Sequence, residues 1–275
     1  MRESLFKKEY VALYTALILL AIFMLLPTVS LTIISIKTMQ DIAFHGTLSK
    51  PTQLNLDSYV KALNGLSGNL LSSFIITIPS VFLSVFVGAI VGFILSRFDF
   101  KLRNEMVLFF ILGMMIPQQM VLIPLYIIAN KLGIYDTYLA LILVHSAYGI
   151  PIVSLLLRNF MITIPDEILE AAILDGCGTI RLFFQIVLPI SKIALTAATI
   201  LQFTYIWNDL LWALVLTRSI NIQPVTMAIV RFSGQYVVDW PTQAAGAIIA
   251  SLPPLVVFMI FQNYFEQGVI GAIKR

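Results

Sequence analysis

Charge is what this chain has least of. Only 11% of its 275 residues are Asp, Glu, Lys or Arg, against about 25% in soluble domains, while 59% are apolar. That composition reads as an integral membrane protein. A single cysteine, Cys177, excludes an intrachain disulfide. No G-x-x-x-x-G-K-S/T loop occurs, so the chain cannot cradle ATP in the P-loop manner. No Ser/His/Asp set or paired carboxylates fall in a plausible pocket, which argues against an enzyme. The two histidines, His45 and His145, have no second ligand at metal-site spacing. A net charge of +3 gives no nucleic-acid-binding character.

What is present is a series of long apolar runs. A spanning helix needs about 20 mostly apolar residues. Six segments meet this, at roughly 11–36, 70–96, 105–128, 138–157, 193–216 and 244–265. The first is too long for a signal-peptide core, with no small-x-small cleavage site, and reads as a retained span. Six spans place both termini on one side. With the termini inside, the inner segments hold eleven Lys and Arg and the outer ones six, as the positive-inside rule requires. The expectation is one multi-pass membrane domain over residues 1–275, all helical, with both termini cytoplasmic. Pro27, Pro79, Pro117, Pro124, Pro151, Pro253 and Pro254 fall in or at the ends of spans. They fit ordinary membrane-helix tolerance or bent helices around a cavity.

Residues 158–192 form a polar, cytoplasmic segment. Within it, 170–189 reads EAAILDGCGTIRLFFQIVLP. Pro165 suits a first helical position, and Asp166 and Glu167 suit a helix N-terminus. Ile168, Leu169, Ala172 and Ile173 share one face, with Glu170 pointing elsewhere. Gly176 supplies a left-handed stop. Thr179 is placed to cap a second helix, whose apolar face is Leu182, Phe183, Ile186 and Val187. Pro189 ends or kinks that helix. An amphipathic hairpin on the membrane and a ridge for another protein's groove both fit this pattern.

The spacing E-A-A, three residues, Gly, nine residues, Ile, one residue, Leu-Pro resembles the EAA motif of ABC importer permeases. Glu170, Ala171, Ala172, Gly176, Ile186, Leu188 and Pro189 match it without gap or substitution. Arg158-Asn159-Phe160, Ile164-Pro165, Asp175-Gly176, Trp207-Asn208-Asp209 and Phe261-Gln262 through Gly268 resemble the carbohydrate-uptake, maltose-type branch. Cys177 stands where that branch has alanine. The resemblance implies the six-span type I importer permease fold in a bacterial or archaeal cytoplasmic membrane. It also implies a coupling role for Glu170 to Gly176, Asp175 included, against an ATPase subunit. The implied partners are a second homologous permease, two ATPase subunits carrying ATP and Mg, and an extracytoplasmic substrate-binding protein. No cofactor is expected in this chain.

Asp209 is the one carboxylate well inside an expected span, and such acids point to function. With Tyr205, Trp207 and Asn208 it forms a candidate sugar path. A packing cluster against the partner permease explains the same residues, and Gln202 shares the ambiguity. His145 reads as a hydrogen-bonded packing residue. In the outer loop 217–243, Gln235, Tyr236 and Trp240 are candidate contacts for the binding protein, or simply solvated. The basic tail from Gly268 to Arg275 fits an ATPase contact or positive-inside placement. No Lys or Arg falls inside the six spans, which argues against an anionic substrate such as a glycerol phosphate. A polyol cargo stays open, and ion-coupled secondary transport is the remaining rival.

Overall fold

The structure, a computed structural model, describes residues 2–234 and 238–273, with side chains for 10, 11, 13–234 and 238–262. Every regular element among the described residues is helical. In chain order they are α1 (Arg2–Ser35), α2 (Met39–His45), α3 (Asp57–Arg97), α4 (Arg103–Met115), α5 (Gln118–Lys131), α6 (Tyr138–Met161), α7 (Asp166–Leu174) and α8 (Thr179–Arg181). A π-helical turn, Leu182–Val187, follows, then α9 (Leu188–Ile190), α10 (Lys192–Trp207), α11 (Leu211–Leu216), a 3₁₀ turn (Ile220–Ile222), α12 (Val225–Arg231) and α13 (Trp240–Ile273).

Among the described residues, four helices are long and apolar enough to cross a membrane: α3, α6, and the stretches Leu13–Ser35 of α1 and Trp240–Gln262 of α13. Two bent helix pairs pass the same test of length and composition when each is taken as one unit. α4 and α5 meet at 97°, and Thr179–Ile190 meets α10 at 77°. The expected third span, 105–128, is therefore broken rather than straight. Its break falls at Pro117, which has no N–H to donate and pushes Ile116 into an extended conformation. Pro79, Pro124, Pro151, Pro253 and Pro254 remain inside helices.

The expected fifth span, 193–216, is also interrupted, and without proline. α10 ends at Trp207, and Asn208–Leu210 intervene before α11. The Asp209 carboxylate accepts from the N–H groups of Trp212 and Ala213 at 3.3 and 3.2 Å. Those are donors that a helix start leaves free, so Asp209 makes the restart possible. The second span starts earlier than expected, at Asp57 rather than 70.

The chain divides into two compact units. In Met1–Leu66 with Ile229–Ala250, buried polar groups fix the segment after α1. Lys37 is fully buried and donates to Gly46 O at 2.9 Å and Ser49 Oγ at 2.7 Å. Asp41 accepts from the N–H and hydroxyl of Thr52, and its Oδ1 lies 3.1 Å from His45 Nδ1. Burial acts to raise this carboxyl. Hydrogen bonds from Thr52 and the positive charge of Lys37 and His45 outweigh it and hold Asp41 below its ordinary pKa.

In Ser67–Ala228 with Ser251–Arg275, α3 and α6 approach at backbone distance. A Cβ at Gly88 would lie 2.6 Å from Val153 Cγ1, and one at Gly92 would lie 2.9 Å from Ser154 O. Gly88 and Gly92 form a small-xxx-small pair, the device that brings membrane helices close. Around this crossing, Ala89 and Phe93 of α3 and Val153, Leu157 and Met161 of α6 belong to one buried cluster. That cluster continues through Leu169 and Ala172 of α7 and Leu182, Phe183 and Val187 of the π-turn to Ala194 and Ala198 of α10.

Loop ends in this unit are tied by side chains. Asp136, at φ +60°, accepts from the N–H groups of Arg218 and Ser219 at 2.7 and 2.8 Å and from Ser219 Oγ at 2.5 Å. Burial works to raise its carboxyl. The bonds from Ser219 and Arg218, with the charge of Arg218, prevail and lower it. Asn69 Nδ2 donates to Ile220 O and Gln223 O, and Ser73 Oγ accepts from Val225 N.

Candidate functional site

The 170–189 segment resolves into a helix, a glycine turn and a second helical stretch. Pro165 occupies the N-cap position of α7, so Asp166 rather than Pro165 is the first helical residue. Asp166 and Glu167 lie in the first turn, where negative charge complements the free N–H groups. The buried stripe of α7 is narrower than its pattern predicts. Leu169 and Ala172 are buried, whereas Ile168 and Ile173 are exposed. The surrounding cluster receives α7 only at these two positions one turn apart, and the flanking apolar residues face outward.

The stop is a full Schellman motif. Gly176 N donates to Ile173 O at 2.9 Å and Cys177 N to Ala172 O at 3.0 Å, with Gly176 at φ +81°. The second stretch differs from its expected capping. Gly178, not Thr179, is the N-cap of α8, and Thr179 is inside the helix, making no cap bond. The helix then widens to π geometry, with Leu188 N bonded to Phe183 O five residues back. Pro189 explains this locally. It offers no N–H to Gln185 O and its ring crowds that carbonyl, so the preceding turn opens. Leu182, Phe183 and Val187 are buried in the wider turn, and Ile186 and Leu188 pack beside them.

Glu170, Ala171, Asp175, Gly176 and Pro189 are exposed, whereas Ala172, Ile186 and Leu188 are buried or half-buried. Beside them stand Leu174 and Ile180, at 88% and 76% exposure, with Ile168 and Ile173. The segment therefore has two faces. One is locked into the cluster shared with α3, α6 and α10. The other presents aliphatic side chains next to the Glu170 carboxylate.

Further along α10, a cavity of about 780 Å³ lies against both helix breaks. Ile116 and Gln118 line it from the break between α4 and α5, and Asn208, Asp209 and Leu210 from that between α10 and α11. Tyr148, Gln202 and Tyr205 add polar groups. Non-helical backbone at this depth is tolerated where it lines a cavity. Among the described residues, no Lys or Arg lines it.

The four candidate path residues separate here. Tyr205 and Asn208 are exposed to the cavity. Asp209 lines it too, but its oxygens hold the α11 start, and Oδ2 lies 3.6 Å from buried His145 Nε2. Trp207 does not reach the cavity. It is buried, edge-on to Phe74 at 4.8 Å and stacked on Phe203 at 5.6 Å, so its ring faces are covered by protein. Its placement on the far side of α10 follows from the helical repeat, two residues from Tyr205. Gln202 joins the lining with a buried Oε1 that has no hydrogen-bond partner.

Trp240 is exposed at the first turn of α13. Gln235 and Tyr236 lie outside the described residues. Among the described residues, no three His, Cys, Asp or Glu side chains come together to hold a metal ion.

Comparison with known proteins fits this arrangement. Residues 84–271 match the family described as binding-protein-dependent transport system inner membrane component. A probable ABC transporter permease protein of Pyrococcus horikoshii is 33% identical over 251 residues, covering 90% of this chain and 91% of its own. The arabinooligosaccharides transport system permease protein AraQ of Halalkalibacterium halodurans is 30% identical over 261 residues, covering 93% of each. The glucose import system permease protein GlcU of Saccharolobus solfataricus is 28% identical over 265 residues, covering 94% of this chain and 92% of its own. In fold, the chain resembles one from the crystal structure of a bacterial ABC transporter importing the acidic polysaccharide alginate. The TM-score is 0.78 at 19% identity, over 94% of this chain and 97% of that one. The chain belongs to the inner membrane components of binding-protein-dependent transport systems, the permeases of ABC importers.

Proposed function

We propose that this permease moves a neutral sugar or oligosaccharide inward, driven by ATPase subunits that dock on residues 170–189. One observation carries the reading: α10 joins the two functional regions. Its first turns, through Ala194 and Ala198, belong to the cluster that grips α7, and its later turns, through Gln202 and Tyr205, line the cavity. A push on α7 therefore reaches the cavity wall through close-packed side chains, which yield little volume under load.

The lining chemistry supports the cargo class. Amides and phenols hydrogen-bond hydroxyl groups, and tyrosine rings cover the apolar faces of sugars. A phosphorylated cargo would call for Arg or Lys, and none of the described residues lining the cavity is either. The relatives named for glucose and arabinooligosaccharides point the same way.

In this reading, positive-inside placement puts both termini and residues 170–189 in the cytoplasm. Two separate subunits bind ATP and Mg, and their closure shifts α7. A second homologous permease completes the pathway, and a binding protein delivers the sugar on the other side. ATP drives the cycle only through its unequal affinity for the inward- and outward-facing states.

The test is uptake by the assembled transporter in vesicles loaded with ATP, comparing labelled neutral oligosaccharides with glycerol 3-phosphate. The expected result is ATP-dependent sugar uptake with no glycerol 3-phosphate uptake. Uptake of the phosphate ester alone would overturn the cargo assignment.

A further inference from the structure

Arg97, the last residue of α3, reaches across to the junction of α6 and α7. Its Nη1 donates to Asp166 Oδ1 at 2.6 Å. Its Nη2 donates to Met161 O and to Ile164 O, the latter at 2.7 Å. Met161 is the final residue of α6, Ile164 lies in the connecting turn, and Asp166 is the first residue of α7. One guanidinium thus serves the last carbonyl of one helix, a carbonyl of the connecting turn and the carboxylate at the start of the next helix. The side chain is largely buried, at 13% exposure.

The end of α3 is itself held from two sides. Arg103 of α4 donates to Leu95 O at 2.8 Å and Ser96 O at 3.3 Å, and Arg158 of α6 donates to Leu95 O at 3.2 Å. Arg97 consequently hangs from a helix end that cannot fray. A planar guanidinium with fixed donor directions holds three acceptors at set angles, which a lysine ammonium cannot reproduce.

Apolar packing transmits a push on α7 but does not by itself fix the register of its first turn. Leu169 and Ala172 meet the cluster through non-directional contacts, and the Gly176 turn imposes no register on α3. Directional bonds at the start of α7 supply that register. We infer that Arg97 is a positioning residue that fixes the α6–α7 junction to α3, so that displacement of α7 moves α3 and α6 instead of being lost in the turn. The inference rests on the coupling role proposed above for α7.

Arg97→Met keeps the unbranched apolar stem and removes all three bonds. Asp166→Asn removes only the ion pair, whose carboxylate side is 77% exposed and weakly held. The first readout uses Cys177, the chain's only cysteine, half-buried beyond the Gly176 turn. In membrane vesicles, Arg97→Met should speed maleimide labelling of Cys177 severalfold, with Asp166→Asn close to the parent. In the assembled transporter, Arg97→Met should leave basal ATP hydrolysis intact and lower substrate-stimulated hydrolysis and transport by about tenfold or more. Asp166→Asn should stay within about twofold of the parent. Arg97→Lys, which keeps charge and bulk, should fall between them and serves if Arg97→Met fails to assemble.

Unchanged Cys177 labelling together with parental transport in Arg97→Met, or in Arg97→Lys where only that variant assembles, would overturn the clamp. A loss in Asp166→Asn equal to that in the Arg97 variant would also overturn it, because the carbonyl bonds would then be idle. Glu170→Lys separates this from failure of the coupling role. If Glu170→Lys abolishes stimulation while Arg97→Met does not, only the clamp is wrong. If neither variant has an effect, the coupling role itself falls.

Discussion

Cys177 N and Ala172 O stand 3.0 Å apart, and the bond between them closes α7 over a left-handed Gly176. No atom lies within 4 Å of where a Cβ would sit at 176, so a substitution there meets backbone strain rather than a clash. Gly176→Val should cost about 1–2 kcal/mol locally, and Gly176→Asn much less, because Asn tolerates this conformation. Thermal unfolding in detergent and transport should both rank Gly above Asn above Val. Equal behaviour of Asn and Val would remove the conformational argument.

The α3–α6 crossing makes a different demand. At Gly92 a Cβ would press on backbone atoms, Ser154 O at 2.9 Å and Arg158 N at 3.1 Å, which cannot rotate away. Gly92→Ala should therefore destabilise by about 1–3 kcal/mol, as overpacked sites do. Gly68, with open space at its Cβ, is the control, and Gly68→Ala should leave the unfolding temperature unchanged or slightly raised.

The cavity residues should separate by kinetics. Tyr205→Ala and Asn208→Ala should raise the half-saturating concentration of the delivered sugar while leaving unfolding near the parental temperature. Trp207→Ala should instead destabilise by about 3–5 kcal/mol, the usual cost of emptying a buried aromatic site. A parental unfolding temperature in Trp207→Ala would contradict its placement in the packing.

Asp136 gives a pH dependence whose sign follows from its lowered pKa. A carboxyl depressed by folding contributes stability above its unfolded pKa and loses that contribution as pH falls through the folded value. The tie from Asp136 to Arg218 and Ser219 should thus be constant from neutral pH down to ordinary carboxylate values and fail below them. Proteolysis of the 217–223 segment, followed against pH, should accelerate only in that acid range. Asp136→Asn, which keeps the left-handed backbone, should show the faster cleavage already at neutral pH.

Much of this architecture was readable from one-dimensional features. Apolar run length marks the spans, and the spacing from Glu170 to Pro189 marks the helix–turn–helix segment. Local chemistry also gave the Gly176 stop, because a left-handed residue needs only its own backbone. What escaped depends on neighbours distant in sequence. Pro117 breaks its span while Pro79 and Pro151 do not, and nothing local distinguishes them. Gly88 and Gly92 carry a readable four-residue spacing, but its meaning lies in the approach of α6. The narrowed stripe of α7 arises because the surrounding cluster receives only Leu169 and Ala172. Arg97 looked like one of eleven inner charges, and its three bonds exist only once α6 and α7 fold beside it. Trp207 has the chemistry of a sugar platform, yet its helical position turns it toward Phe74 and Phe203.

The central claim is that residues 170–189 transmit the ATPase cycle to the membrane helices. Its most direct test is substrate-stimulated ATP hydrolysis, measured together with transport, in the assembled transporter carrying Glu170→Lys. This change reverses the charge beside exposed Ile173 and Leu174 and leaves the buried face of α7 untouched. The account predicts normal membrane insertion, with stimulated hydrolysis and transport both falling by about tenfold or more. Parental stimulation and transport in that variant would contradict it.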